Sequence, residues 1–231
     1  MPIKRPQIIN NGIYHLTIRA AGDTVLFRGE SDYFRAIFSL YEFNNKEGVI
    51  IRDCRLLAQQ RKNREPFSGN FKKKREPLLE LLSFCLMPNH FHLLVRQICQ
   101  NGVVNFTRKL GAGFAGFFNR KYNRKGPLFS KYRAVHIKDN KQLKTAFVYT
   151  HANPISLIEP GWKEKGIKDF SKAVEFLKQY RWSSFFDYTG KDNFPSLIEK
   201  DFLMSVMGGK DKCQEYIFDW LKFKSTENRS L

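Results

Sequence analysis

An antiparallel sheet with helices on one face, an α+β fold of ferredoxin-like outline, is what this sequence predicts, on three observations. Alternating segments and helically periodic segments follow one another as strand, helix, hairpin, helix, strand, helix. Two apolar runs, PLLELLSFCLM and HFHLLVRQ, are parted only by Pro88 and Asn89, the signature of an antiparallel pair with a tight connection. The chain of 231 residues, 42% hydrophobic with 22 Phe, is long and apolar enough for one large core.

The elements read as follows. GIYHLTIRA alternates, is rich in β-formers and ends at the turn AAGD, so it is the first strand. SDYFRAIFSLYEFN is a helix, with Ser31 as N-cap and Phe34, Ile37, Phe38 and Tyr41 at helical spacing. Residues 46–76 are polar, basic and interrupted by Pro66 and Gly69, which predicts an insertion outside the core with a short strand in GVIIR. The hairpin follows, with His90 and His92 on its second strand. From Val103 to Tyr122, Phe106, Leu110, Phe114, Phe117 and Phe118 mark a broad helical face. GAGFAG inside it matches a dinucleotide-binding glycine pattern in form only, because no strand precedes it; small residues at a close helix crossing account for it better. KYRAVHI is the last strand, and DNKQLKTAFVYTHAN is a helix opened by Asp139 and stopped by Pro154. Helical segments recur in SKAVEFLKQY, PSLIEKDFLMSVM and KDKCQEYIFDWLKF. The expected organisation is a main domain over 1–158, with its basic insertion at 46–76, and a helical C-terminal extension over 159–231.

Charge limits the partner. Forty Lys and Arg against 22 Asp and Glu leave a net charge of +18, an excess that suits a polyanion such as nucleic acid. The basic residues cluster in RKNREPFSGNFKKKRE and NRKYNRKGPLFSKYR. Candidate DNA contacts are therefore Lys72, Lys73, Lys74 and Arg75 in the first cluster. The second offers Arg120, Lys121, Tyr122, Arg124, Lys125, Lys131 and Arg133, with Tyr122, Phe129 and Tyr132 interleaved as stacking platforms. No apolar run is long enough to span a bilayer, and the opening MPIKRPQIINNG lacks a secretory h-region, so a cytoplasmic protein without a membrane partner is expected. Cys54, Cys85, Cys99 and Cys213 form no CxxC pair and read as reduced thiols rather than a zinc knuckle or a disulfide framework.

The chemistry concentrates in MPNHFHLLV. On a strand, His90 and His92 point to one face and Phe91 and Leu93 to the other, so two imidazoles converge. Tyr149 and Asn153, four residues apart on a helix, share a face. Placed against the histidine strand, they suggest a divalent cation held by His90, His92 and Asn153 with a phenol nucleophile one turn away, an arrangement suited to phosphoryl transfer. Each element alone has an ordinary reading: hydrogen-bonded histidines, a packed tyrosine ring, a helix stop before proline. His15, Thr17 and Arg19 share one face of the first strand, which in a ferredoxin-like sheet lies beside the second hairpin strand. His15 and Arg19 are thus possible neighbours of the site.

In order, CLMPNHFHLLV, GPLFSKYRAVHI, YTHANP and YRWSSF resemble the HUH single-strand transposases, and among them the REP-associated tyrosine transposases, over roughly Gly12 to Tyr188. YTHANP is similar to the segment that carries that family's nucleophile, which the resemblance places on Tyr149, with Asn153 as third metal ligand. It implies an HUH-type domain that uses Mg²⁺ or Mn²⁺ to cut single-stranded DNA beside a hairpin. The implied intermediate is a 5′-phosphotyrosine, from which the strands are rejoined. Some relatives act as dimers that exchange tyrosine helices and others as monomers, so a homodimer stays open. Two other readings remain: a metal-dependent hydrolase in which water attacks, and a hairpin-binding protein that does not cut.

Overall fold

The computed structural model describes residues 6–22, 24–49, 51 and 75–226. Four strands, β1 (Ile13–Arg19), β2 (Leu79–Met87), β3 (His90–Gln97) and β4 (Arg133–Ile137), form one antiparallel sheet in the order β2-β3-β1-β4. Pro88 and Asn89 make the tight turn between β2 and β3. β1 runs centrally, with His15 opposite Leu94 and Val135, Thr17 opposite His92 and Arg133, and Arg19 opposite His90. Paired residues share a face. One face therefore carries His15, Thr17, Arg19, His90, His92 and Arg133, and the other Tyr14, Leu16, Ile18, Phe91 and Leu93.

The second face is the main core. On it pack α1 (Glu30–Glu42) and α2 (Gly102–Lys121), the latter through Phe106, Leu110, Phe114 and Phe118, all fully buried. Phe91 meets Phe27, Phe114 and Phe129 in edge-to-face contacts. The histidine side is covered too, by α3 (Asn140–Ala152), which lies against β2 and β3 as the placing of Tyr149 and Asn153 against the histidine strand requires. The reason is legible in β2: LELLSFCLM has no polar alternation because nearly all of it is buried, as in a strand covered on both faces.

Local chemistry sets the boundaries. Asp139 caps α3 by accepting from Gln142 N at 2.8 Å, as its position predicts. Ser31 is not a cap. Gly29 holds the N-cap position of α1, and Asp32 in the first turn instead accepts from the backbone N–H of Arg28 at 2.9 Å. In GAGFAG, a Cβ on Gly113 would come within 2.1 Å of the Phe43 ring, so a close crossing fixes that glycine. Gly48 and Val49 are not in a strand, and most of the insertion lies outside the described residues. Cys85 and Cys213 are buried free thiols, Cys99 is half-buried, and Cys54 is not among the described residues.

After α3 a 3-10 turn (Asn153–Leu157) leads to α4 (Trp162–Lys165), α5 (Phe170–Leu177), α6 (Phe185–Thr189), α7 (Lys200–Met207) and α8 (Lys210–Thr226). Residues 159 onward share the core of the sheet: Trp162, Tyr188, Leu203, Ile217 and Leu221 belong to the same buried cluster as Phe84 and Leu86. The YRWSSF segment closes the outer edge of β2. Leu86 N donates to Trp182 O at 2.9 Å and Ser184 N to Phe84 O at 3.0 Å. Tyr180 Oη donates to Leu86 O, and Tyr188 Oη to Leu82 O at 2.6 Å. A sheet edge that would otherwise offer unpaired peptide groups is covered from within the chain. No described helix is long and apolar enough to cross a membrane.

Candidate active site

The histidine face of the sheet and the inner face of α3 build the site. His90 and His92 stand on alternate positions of β3, and their Nε2 atoms face each other at 2.9 Å. His90 Nδ1 lies 2.6 Å from Asn89 Oδ1, and His92 Nδ1 lies 3.1 Å from His15 Nε2. His15 stacks parallel on His92, ring centroids 5.1 Å apart. Asn89 and His15 thus fix the far nitrogen of each imidazole, as the outer-shell partners of metal-binding histidines do, and leave both Nε2 atoms convergent.

Burial sets their protonation. Desolvation, with the charges of Lys163 and Arg133 added, brings His15 down to about 4. Desolvation, with Arg19, Lys163 and His15, does the same for His90, also to about 4, and His92 lies well below the ordinary value for the same kinds of reason. All three are neutral at physiological pH, the form that donates a lone pair to a cation.

Tyr149 reaches this group from α3. Its ring stands edge-on to both His15 and His92, at centroid distances of 5.8 Å and 5.7 Å. One turn on, Asn153 is 1% exposed; its Nδ2 donates to Tyr149 O at 2.6 Å, which leaves Oδ1 free to accept from another group. The position one turn before Asn153 gives Tyr149 its aim because α3 runs unbroken to Ala152. His151, pointing away from the site, is fully buried and hydrogen-bonds through Nε2 to Ser184 Oγ at 2.8 Å, tying the tyrosine helix to the covered edge of β2.

Sequence reasoning missed Lys163. From α4, its Nζ donates to Tyr149 Oη at 2.6 Å and to Asn153 Oδ1 at 2.9 Å, and so joins the tyrosine to the asparagine. Nothing in the segment EPGWKEKG marks it, since it lies fourteen residues beyond Tyr149 on a helix of only four residues.

The donor set fits a divalent ion. Two ligand nitrogens in adjacent positions on a six-coordinate ion with bonds of about 2.1 Å stand about 3.0 Å apart, close to the His90–His92 spacing. Among the described residues no group of three His, Cys, Asp or Glu side chains is arranged to hold a metal. The Asn153 amide oxygen has a second lone pair beyond the one Lys163 uses.

The basic segment 119–133 divides in two. Lys121 Nζ pairs with Asp32 at 2.5 Å, Tyr122 Oη donates to the same carboxylate at 2.6 Å, and the Arg28 guanidinium covers the Tyr122 ring at 4.3 Å. Arg124 donates to Asn119 Oδ1, Gly126 O and Pro127 O, and so staples its own loop. These three side chains are engaged within the fold. Arg120, Lys125, Lys131 and Arg133 are exposed, Arg133 on the histidine face beside Thr17, and Arg19 is exposed on the same face. Arg75 stacks on the Tyr41 ring at 3.8 Å and donates to Tyr41 O at 2.7 Å; Lys72, Lys73 and Lys74 lie outside the described residues.

No protein-family model matches this sequence, and no curated protein does. Among solved structures, the chain is similar to a REP-associated tyrosine transposase bound to a REP hairpin, at 13% identity and a TM-score of 0.51, over 87% of this chain and 93% of that one. Weaker likenesses are to a bacterial tRNA(His) guanylyltransferase-like protein. In complex with GTP it aligns at 12% identity and a TM-score of 0.37, over 70% of this chain and 73% of that one. In complex with ATP the values are 12% and 0.38, over 77% and 72%. At such identity the first likeness concerns the fold alone: this chain has the fold of that tyrosine transposase.

Proposed function

We propose that this chain is a metal-dependent strand transferase that cuts and rejoins single-stranded DNA beside hairpins, with Tyr149 as nucleophile. The observation that carries the reading is the placement of the Tyr149 phenol, edge-on to His15 and His92 and hydrogen-bonded to Lys163. A tyrosine that served packing alone would not need two neutral imidazoles and an ammonium around its ring and oxygen. Support for the DNA class comes from the net charge of +18 and from the similar fold of a protein bound to a REP hairpin.

His90, His92 and Asn153 would hold Mg²⁺ or Mn²⁺. Bound there, the ion supplies Lewis-acid polarisation of the scissile phosphate. His15 and Asn89 keep the two imidazoles turned inward. Tyr149 Oη attacks phosphorus, its bond to phosphorus forms as the bond to the 3′ oxygen breaks, and the 5′ end stays on the protein. Arg19 and Arg133, exposed on the same face, bind the flanking phosphates. Within one chain these residues already stand together.

The test is incubation with single-stranded hairpin DNA and Mn²⁺, with the products resolved on a denaturing gel. The wild-type protein should form a covalent adduct, and Tyr149→Phe should lose it while binding the hairpin about as tightly. Cleavage without adduct in Tyr149→Phe would instead make water the nucleophile. Binding without cleavage in the wild type would make the protein a hairpin binder.

A further inference from the structure

The Tyr149 phenol oxygen touches a cation, Lys163 Nζ, at 2.6 Å. The same ammonium lies 2.9 Å from Asn153 Oδ1 and 4.4 Å from the centre of the Tyr149 ring. Its backbone is held firmly. The neighbouring Trp162 is 1% exposed and meets Trp220 of α8 edge-on at 5.3 Å, while Gly161, at φ 83°, takes the left-handed conformation that starts α4. Among the described residues no carboxylate pairs with Lys163. Its positive charge is directed at the phenol and the amide. A charged donor held at hydrogen-bond distance in a partly desolvated site stabilises negative charge there far better than one free in water.

We propose that Lys163 is a catalytic residue: its ammonium holds Tyr149 Oη in line and neutralises the negative charge on that oxygen as it enters and leaves the bond to phosphorus. The proposal rests on Tyr149 being the nucleophile. In cleavage, the Oη–P bond forms and the P–O3′ bond breaks; the phenol proton passes to solvent and the departing 3′ oxygen takes one from solvent. In rejoining, a 3′-hydroxyl attacks and gives its proton to solvent, the O3′–P bond forms as the Oη–P bond breaks, and the released phenolate takes a proton from solvent. Lys163 keeps its protons throughout and acts as a fixed charge. Its effect is greatest in rejoining, where the phenolate is the leaving group.

The experiment compares wild type with Lys163→Met, Lys163→Gln and Lys163→Arg in single-turnover adduct formation and in rejoining, on hairpin DNA with Mn²⁺. Mn²⁺ affinity by calorimetry, hairpin affinity and melting are measured alongside. Loss of one preorganised donor to a charged oxygen costs on the order of 10²-fold in rate. Both neutral variants should slow by about that factor, more in rejoining than in cleavage, and arginine should recover most of it. Hairpin affinity should stay within about threefold of wild type, a change of under about 1 kcal/mol, and rates are compared at saturating Mn²⁺. Placing 3-fluorotyrosine at 149, whose oxygen is less basic, should shrink the gap between wild type and Lys163→Met, which a scaffolding role would not do. A neutral variant that folds and reacts at the wild-type rate, or one whose loss is wholly explained by weaker Mn²⁺ or DNA binding, would overturn the proposal. If the wild type formed no adduct, the tyrosine reading itself would fall, a result distinct from an active wild type with an equally fast Lys163→Met.

Discussion

Replacing Asp32 tests whether the end of the basic segment is held by the fold. Its carboxylate is wholly buried at the start of α1 and collects three donors: Arg28 N at 2.9 Å, Lys121 Nζ at 2.5 Å and Tyr122 Oη at 2.6 Å. Asp32→Ala takes this acceptor from all three, and Lys121 Nζ keeps only Ser31 Oγ at 2.8 Å. Lys121, at 33% side-chain exposure, can turn to water and so loses little. Tyr122 and the Arg28 N–H each forfeit a bond to a charged group, worth about 1.5 kcal/mol at the low end of its range, for a combined cost of about 3 kcal/mol. In a chain of this size that lowers the melting temperature by roughly 6–12 °C, and Asp32→Asn, which keeps one acceptor, by about half as much.

The pH dependence has a definite sign. Burial works against the Asp32 charge, but the bonds from Lys121, Tyr122 and Arg28 N, with the Lys121 charge, outweigh it and hold the carboxyl below its ordinary value. The unfolded chain therefore binds the proton first, and the stabilisation is lost as pH falls from the ordinary carboxylate value through the folded one. Urea unfolding followed by tryptophan fluorescence suits the measurement, since Trp182 stacks on Tyr33 of α1 at 4.4 Å. An Asp32→Ala midpoint equal to wild type, or a variant that keeps the full wild-type loss of stability in acid, would refute the argument.

Three further expectations concern the site and its surroundings. His90→Ala and His92→Ala should each weaken Mn²⁺ binding by calorimetry more than His15→Ala, whose outer-shell loss is on the order of tenfold; unaltered affinity in both first variants would dismiss the metal site. Arg75→Ala should lower stability by about 1 kcal/mol, because the Tyr41 ring is left without its guanidinium, and should not alter the salt dependence of DNA binding. Replacing Lys72, Lys73 and Lys74 by Ala should flatten that dependence by up to about 0.7 for each phosphate the protein no longer neutralises, and an unchanged slope would assign the DNA track to Arg120, Lys125, Lys131 and Arg133.

Much of the architecture can be read from local pattern. Pro88 and Asn89 between two apolar runs suffice for the hairpin, and alternation along β3 puts His90 and His92 on one face. Helical spacing suffices for Tyr149 and Asn153. Other features depend on partners distant in sequence. Tyr122 and Lys121 look like free nucleic-acid contacts until Asp32, some ninety positions earlier, is found beneath them. The covering of both faces of β2 is implicit in its lack of polar alternation, but which helix lies on which side depends on tertiary packing. Lys163 leaves no trace in pattern at all, because one lysine on a single helical turn has no periodicity to read.

The tie from His151 to Ser184, on a segment that itself pairs with β2, anchors the tyrosine helix to the rim of the sheet. A helix that swung out to serve another molecule would break this tie. In the proposed strand transfer the nucleophile would keep a fixed address, and the DNA ends would come and go past it. While one 5′ end is on Tyr149, the freed 3′ end has to be kept by non-covalent grip alone, so the fidelity of rejoining would be a property of the exposed arginines and lysines around the site, separable by mutation from the ability to cut.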